Sequence, residues 1–301
     1  MADHPVVFFG VGAQKSGTTW IYDHLHGHPD VFVPDVKETN FFWARQEGRE
    51  EQEIRRLLGS LGRMLDGRDD ATGPVVLGRG RNRIGDAAKL IAALAGRADY
   101  MALHSAAPKD VLAVGEVSPA YAMLGEATYR EMAAIAPDVR FFFVMRDPVA
   151  RFWSAVRMLV TRQPDTLAGT TIEAVFDRTL AQADGHLRRM TDYGGTLDRL
   201  EAAAGPDRVY ALFYEDLFSD RAAATVQGLE DFLGIGHRRP RTAKKVWRTP
   251  EDAVRAADLT AAMHARAERT LAPVYAAIRD RFGDRVPSAW AGQGMRMRPV
   301  A

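Results

Sequence analysis

Val6-Val7-Phe8-Phe9-Gly10-Val11-Gly12-Ala13-Gln14-Lys15-Ser16-Gly17-Thr18-Thr19 is the stretch whose reading decides the fold. Residues 6–11 are almost wholly β-branched or aromatic, which suits a parallel strand covered on both faces. Gly12 and Gly17 permit a tight turn and let the backbone approach a ligand closely. Ser16, Thr18 and Thr19 bring hydroxyls to the point where a helix can begin. A helix N-terminus with free N–H groups and a lysine beside it is an anion site. Residues 12–19 therefore read as a phosphate or sulfate cradle. The plainer alternative is a strand–turn–helix with a solvated lysine.

Spacing separates this loop from that of the nucleoside triphosphatases, in which a lysine directly follows the second glycine of G-x-x-x-x-G-K-[ST]. Here Gly12 and Gly17 keep the separation, but Thr18 follows Gly17 and Lys15 precedes it by two residues. The cradle is kept and its lysine has moved. Gln14-Lys15-Ser16-Gly17-Thr18-Thr19 resembles the 5′-phosphosulfate loop of sulfotransferases that use 3′-phosphoadenosine 5′-phosphosulfate (PAPS). That loop commonly reads Lys or Arg, Ser or Gly, Gly, Thr, Thr. The resemblance implies that Lys15, Ser16, Gly17, Thr18 and Thr19 bind the donor.

The rest of the chain bounds the class. Its 301 residues suit one α/β enzyme domain with insertions. The 47% hydrophobic and 26% charged content is that of a globular protein with a sizeable core. A net charge of +1 gives no general attraction to nucleic acid or anionic membrane, so anion binding must be local. The absence of cysteine excludes disulfides, thiolate metal sites and a cysteine nucleophile. No run approaches the ~20 apolar residues of a membrane span, and no basic leader precedes the first strand. The expectation is a cytosolic protein, bacterial by its Ala- and Arg-rich composition.

Strands and helices alternate along the chain. A helix is expected over 18–26, stopped by Gly27 and Pro29, and a short strand over 31–33. Lys37 and Glu38 follow that strand, where open parallel sheets place their ligand crevice. Residues 45–108 read as an insertion, or a lid over the site. It holds an amphipathic piece around Ile54, Leu57, Leu58 and Leu61, a mobile loop over 67–85 with Arg79, Arg81 and Arg83, and a helical pattern over 86–104. Strands follow at 111–115, 139–145 and 208–213, and helices at 124–136, 171–182, 186–204 and 221–233. A helical region over 252–282 is broken at Pro273, and a loose tail begins at 292. Arg146 ends the strand at 139–145, Asp147 is a good N-cap and Pro148 suits a first helical turn. That helix runs toward Arg162, and Tyr193 reads as core. His24, His26 and His28 do not share a helix face, and no cluster has metal-ligand spacing, so no metal is expected. The pattern predicts one α/β domain: a central, mostly parallel sheet flanked by helices, with a P-loop-like strand–loop–helix at its start.

Further segments carry the resemblance onward. Lys37-Glu38-Thr39-Asn40-Phe41-Phe42 is similar to the Lys-Glu-x-x-Phe-Phe-like segment of glycan sulfotransferases of the heparan-sulfate type. It implies Glu38 as general base, with Lys37 assisting. The family often has His where Asn40 stands. Glu116-Val117-Ser118-Pro119-Ala120-Tyr121 resembles an acceptor-side Glu-Lys-[Ser/Thr]-Pro-x-Tyr segment, which implies Glu116, Ser118 and Tyr121 near the substrate. Val117 stands where that segment has Lys. Arg146 and Ser154 have the spacing of the family's 3′-phosphate pair. Lys244-Lys245-Val246-Trp247-Arg248 resembles a late Lys-Gly-Phe/Trp loop, which implies a phosphate clamp by Lys244, Lys245 and Arg248. The implied reaction moves a sulfuryl group from PAPS, without metal, to a hydroxyl on a carbohydrate or small natural product. An ATP-using kinase-like enzyme and a non-catalytic nucleotide-binding module are the alternatives.

Overall fold

A computed structural model describes residues 4–66, 82–240 and 258–290. The chain runs β1 (Val6–Gly10), α1 (Thr18–His26), β2 (Val31–Phe32), α2 (Phe41–Glu47), α3 (Glu50–Leu65), α4 (Arg83–Leu94), β3 (Ala113–Val117), α5 (Glu126–Ala133), β4 (Val139–Met145) and α6 (Pro148–Arg162). It continues through α7 (Ile172–Ala181), α8 (His186–Arg189), α9 (Tyr193–Ala204), β5 (Val209–Phe213), α10 (Tyr214–Leu217), α11 (Ala222–Leu233) and α12 (Ala261–Phe282). The strands form a five-stranded sheet in the order β2-β3-β1-β4-β5, and every pairing is parallel.

Alternation along the strands explains why both faces are covered. Val7, Phe9 and Val11 enter one apolar cluster with Phe141, Phe143 and Met145. Val6 and Phe8 enter the other with Phe142 and Val144, under α1 and α11. Successive side chains of a strand point to opposite faces, so near-continuous apolar strands need helices on both. β1 lies between β3 and β4, and the chain crosses from one side of it to the other. Strand order therefore reverses at β1, where open α/β sheets bind their ligands.

Several elements differ from the sequence expectations. The third strand lies two residues later than expected, because pairing with β1 begins at Val6↔Ala113 and ends at Gly10↔Val117. Glu116 is consequently inside a strand rather than after it. The expected helix over 186–204 is two, since Asp192 starts a new one by accepting from the Gly195 N–H at 3.2 Å. Pro273 lies inside α12 without ending it. Gly85, assigned to a loop, is in α4. The helices of 45–108 are packed into the core: Leu57, Ala87, Leu90 and Leu103 are fully buried. Leu58 faces outward, 52% exposed. Arg79 and Arg81 lie outside the described residues, as do Lys244, Lys245, Arg248 and the tail.

The three histidines of α1 and its exit are each hydrogen-bonded within the fold. His24 Nε2 is 2.8 Å from Glu230 Oε1, His26 Nε2 is 2.8 Å from Asp35 Oδ1, and His28 Nε2 is 2.8 Å from the Gly236 carbonyl. Among the described residues no helix is long and apolar enough to cross a membrane.

Gly115 of β3 faces Phe8 of β1, and a Cβ there would sit 2.1 Å from the Phe8 carbonyl oxygen. Backbone cannot yield there as a flexible side chain can. Gly115→Ala is expected to destabilise the fold by about 3 kcal/mol in urea unfolding; a loss below about 1 kcal/mol would show that the ladder relaxes easily.

Candidate active site

The Gly12–Thr19 loop leaves β1 and stays tied to β4. The Ala13 N–H donates to the Val144 carbonyl at 2.7 Å, and the Val144 N–H to that of Gly12 at 2.8 Å. Gly17, at φ 85°, takes the left-handed conformation that starts α1. No side chain caps α1 and its first turn has no acidic residue, so its N-terminal dipole is uncompensated by the protein. The Ser16 hydroxyl is buried without a hydrogen-bond partner among the described residues. A buried polar atom of that kind calls for an explanation, and a ligand oxygen supplies one.

Lys15 also has a positive φ, 70°. Its ammonium is pushed down to about 8, first by burial, then by the charges of Arg162, Arg146 and Arg157, with Glu38 opposing. Arg146 stands at the end of β4 and donates through Nη1 to the Lys15 carbonyl at 3.0 Å. Its guanidinium lies 4.5 Å from the Tyr214 ring centroid. The Tyr193 hydroxyl donates to the Arg146 carbonyl at 2.9 Å, so this core tyrosine also fixes the arginine's backbone. Asp147 caps α6 as its sequence predicted, accepting from the Ala150 N–H at 2.8 Å. Ser154 follows on α6, half-buried.

Lys37 and Glu38 stand beside this loop. Lys37 Nζ donates to Thr19 Oγ1 at 2.6 Å and lies 3.4 Å from Glu38 Oε1. One ammonium thus joins the first turn of α1 to the candidate base. The Glu38 side chain is 36% exposed and reachable from solvent. Its backbone is left-handed, φ 57°, as is that of Asn40, φ 53°. Arg56 of α3 donates to the Glu38 carbonyl at 3.1 Å. Lys15, Lys37, Glu38, Arg146 and the hydroxyls of residues 16–19 therefore gather at one end of the sheet.

Glu116, Ser118 and Tyr121 are 2%, 0% and 0% exposed and bond to the segment Thr39–Phe42 that follows Glu38. The parallel ladder carries Glu116 into the sheet interior opposite Phe9. The expected clamp residues Lys244, Lys245 and Arg248 lie outside the described residues.

The sequence reading missed Arg157 and Arg162 as parts of the site. A signal was available, since they follow Ser154 by three and eight residues and so share its helix face. It also missed Tyr214, which stacks on Arg146, and Tyr100, whose hydroxyl donates to Glu116 Oε1 at 2.8 Å. Neither aromatic residue lies near its partner in sequence. A cavity of about 270 Å³ beside Arg146 is lined by Asp147, Tyr214, Glu215, His264 and Trp290, among others.

Residues 5–239 match the model of the sulfotransferase family. The chain belongs to that family. Among solved structures it is similar to a sulfotransferase from Alicyclobacillus acidocaldarius, with 21% identity and a TM-score of 0.59, over 97% of this chain and 100% of that one. A sulfotransferase domain from the Synechococcus PCC 7002 olefin synthase gives 17% identity and a TM-score of 0.47, over 90% and 96%. The sulfotransferase domain from the curacin biosynthetic pathway gives 17% and 0.41, over 88% and 83%. The first likeness shows a shared fold. A search of curated proteins finds no match.

The depressed lysine yields a pH signature. The folded pKa of about 8 lies below the ordinary value, so Lys15 loses its proton as pH rises through about 8 while an unfolded chain would keep it. Sulfate holds one charge state throughout this range. Its affinity, measured by calorimetry, should fall as pH rises from 7 to 9, with a midpoint near 8 in the unbound protein. In Lys15→Gln the affinity should be weaker and that decline absent; an unchanged pH dependence would remove Lys15 from the anion site.

Proposed function

We propose that this sulfotransferase uses PAPS as donor and an acceptor hydroxyl, on a carbohydrate or small natural product, as nucleophile. The observation that carries the reading is the bridge from Thr19 through Lys37 to Glu38, which sets a candidate base against an anion loop. The residues present fit the donor. Lys15 is surrounded by three arginines and opposed by one carboxylate, the Ser16 hydroxyl is buried and unpartnered among the described residues, and α1 begins uncapped. Such a cradle has an excess of positive charge and unmet hydrogen-bond donors, and a phosphosulfate brings the negative charge and acceptors to match them.

When bound, the donor supplies a sulfuryl group on a phosphate leaving group. Lys15 and the N–H groups of residues 16–19 would hold its phosphosulfate and stabilise charge on the leaving oxygen. Arg146 and Ser154 would hold the 3′-phosphate, with the arginine giving a forked contact. Arg146 is already braced by Tyr214 and by the Lys15 carbonyl, so donor binding need order little more of that side chain. Glu38, open to solvent on one side, would take the proton of the attacking hydroxyl. Lys37 orients that carboxylate and adds positive charge beside the reacting groups. The basic residue absent at Val117 is offset by Lys15 and Lys37.

Two substitutions separate these roles. In an assay of labelled sulfate transferred from PAPS to water or to a panel of alcohols, phenols and sugars, Glu38→Gln should lower turnover about 100-fold or more. Its affinity for 3′-phosphoadenosine 5′-phosphate should be kept. Arg146→Ala should instead weaken that affinity about 10- to 100-fold, ~1.4–2.8 kcal/mol. Normal turnover in Glu38→Gln would remove Glu38 as the base.

A further inference from the structure

Glu116 is a carboxylate inside a central strand, where parallel sheets ordinarily carry apolar residues. All four of its hydrogen-bond partners among the described residues are hydroxyls. Tyr100 and Tyr121 donate to Oε1, each at 2.8 Å. Thr39 and Ser118 donate to Oε2, at 2.5 and 2.6 Å. Burial, and next the nearby Glu116 charge, hold both tyrosines well above their ordinary pKa, so they remain donors.

Three of these hydroxyls also accept from successive backbone amides. Asn40 N–H donates to Ser118 Oγ, Phe41 N–H to Thr39 Oγ1 and Phe42 N–H to the Tyr121 hydroxyl, each at 3.4 Å. These amides open α2, whose first intrahelical bond is made by the Ala44 N–H to the Asn40 carbonyl. They are therefore among the orphan donors of a helix start, and no side chain of Asn40 caps them. One buried carboxylate orients three hydroxyls, and each hydroxyl receives one amide.

We propose that Glu116 is a positioning residue for the reaction: through Thr39, Ser118 and Tyr121 it caps α2 and holds Glu38 and Asn40 left-handed, so that Glu38 is presented beside Lys37 and the donor loop. The inference rests on the reading of Glu38 as base. It also explains the carboxylate itself. An apolar residue would fill the strand position, but it could not turn three hydroxyl protons inward and leave their oxygens free for amides. The left-handed backbone at residues 38 and 40 persists only if its surroundings hold it, and the hydroxyl relay does so from beneath.

The test compares Glu116→Gln, Thr39→Val, Thr39→Ser, Ser118→Ala, Glu38→Gln and the double variant Glu38→Gln/Glu116→Gln. Release of labelled sulfate from PAPS to water is the kinetic probe. Calorimetry with 3′-phosphoadenosine 5′-phosphate reports donor binding, and hydrogen exchange of the free protein reports the residue 40–42 amides. Glu116→Gln and Thr39→Val should lose at least tenfold in kcat, keep nucleotide affinity within twofold and exchange those amides at least tenfold faster. Thr39→Ser, which keeps the hydroxyl, should stay within threefold of the parent. Adding Glu116→Gln to Glu38→Gln should cost less than twofold more, because both act through one group. Should Glu116→Gln fail to fold, Thr39→Val and Ser118→Ala carry the same comparison. Unchanged amide exchange in these variants, or a further tenfold loss in the double variant, overturns the proposal. Glu38→Gln at the parent rate overturns the base reading instead, and the exchange data then decide the capping by themselves.

Discussion

The parallel ladder between Val6–Gly10 and Ala113–Val117 is the constraint on which the site depends. β1 delivers the loop that carries Lys15, and β3 delivers the carboxylate beneath the loop that carries Glu38. The ladder continues past the strands, since the Ser118 N–H donates to the Gly10 carbonyl at 2.9 Å. The two halves of the candidate site are thus tied together within two residues of Gly12. Gly115 permits the close approach that makes this possible. A rigid sheet sets the distance, and loops supply the chemistry.

Charge and backbone strain concentrate at the same place. Among the described residues, the non-glycine positions with positive φ are Lys15, Glu38 and Asn40, and all three lie in the two facing loops. Conformations of this kind cost free energy and persist where the surroundings over-determine them. Lys15 is likewise held among like charges that an incoming anion would offset. Arg146, bonded to the Lys15 carbonyl and stacked on Tyr214, joins the end of β4 to this cluster. The free protein therefore stores a deficit of negative charge where a sulfated nucleotide would bring it.

Much of this was legible in the sequence, for local reasons. The apolar runs at 6–11 and 139–145 became β1 and β4, because a strand buried on both faces needs little else to mark it. Asp147 and Pro148 foretold the start of α6 through capping chemistry confined to one turn. The spacing of Lys15 and Gly17 set the loop apart from that of the nucleoside triphosphatases. The parts that were not legible depend on long-range pairing. Glu116 looked like a polar strand end, and only its register with Phe9 shows it to be interior. Tyr100 reaches it from 16 residues away, and Tyr214 meets Arg146 across β4 and β5. Residues 45–108 read as an insertion or lid because of their charged and Gly-, Arg- and Asp-rich stretches; which of their apolar residues are buried, Leu57 and Leu90 among them, depends on contacts distant in sequence. Sequence periodicity reports a helix face, not the partner that covers it.

The most direct measurement is a thermal-shift comparison of 3′-phosphoadenosine 5′-phosphate with ATP and Mg²⁺ at equal concentrations. A ligand that binds the native state raises Tm in proportion to its affinity. Donor binding through Lys15, Arg146 and Ser154, as proposed, predicts a clear rise with the bisphosphate and little or none with ATP. An equal or larger rise with ATP and Mg²⁺ would contradict the assignment of the loop to a sulfated donor.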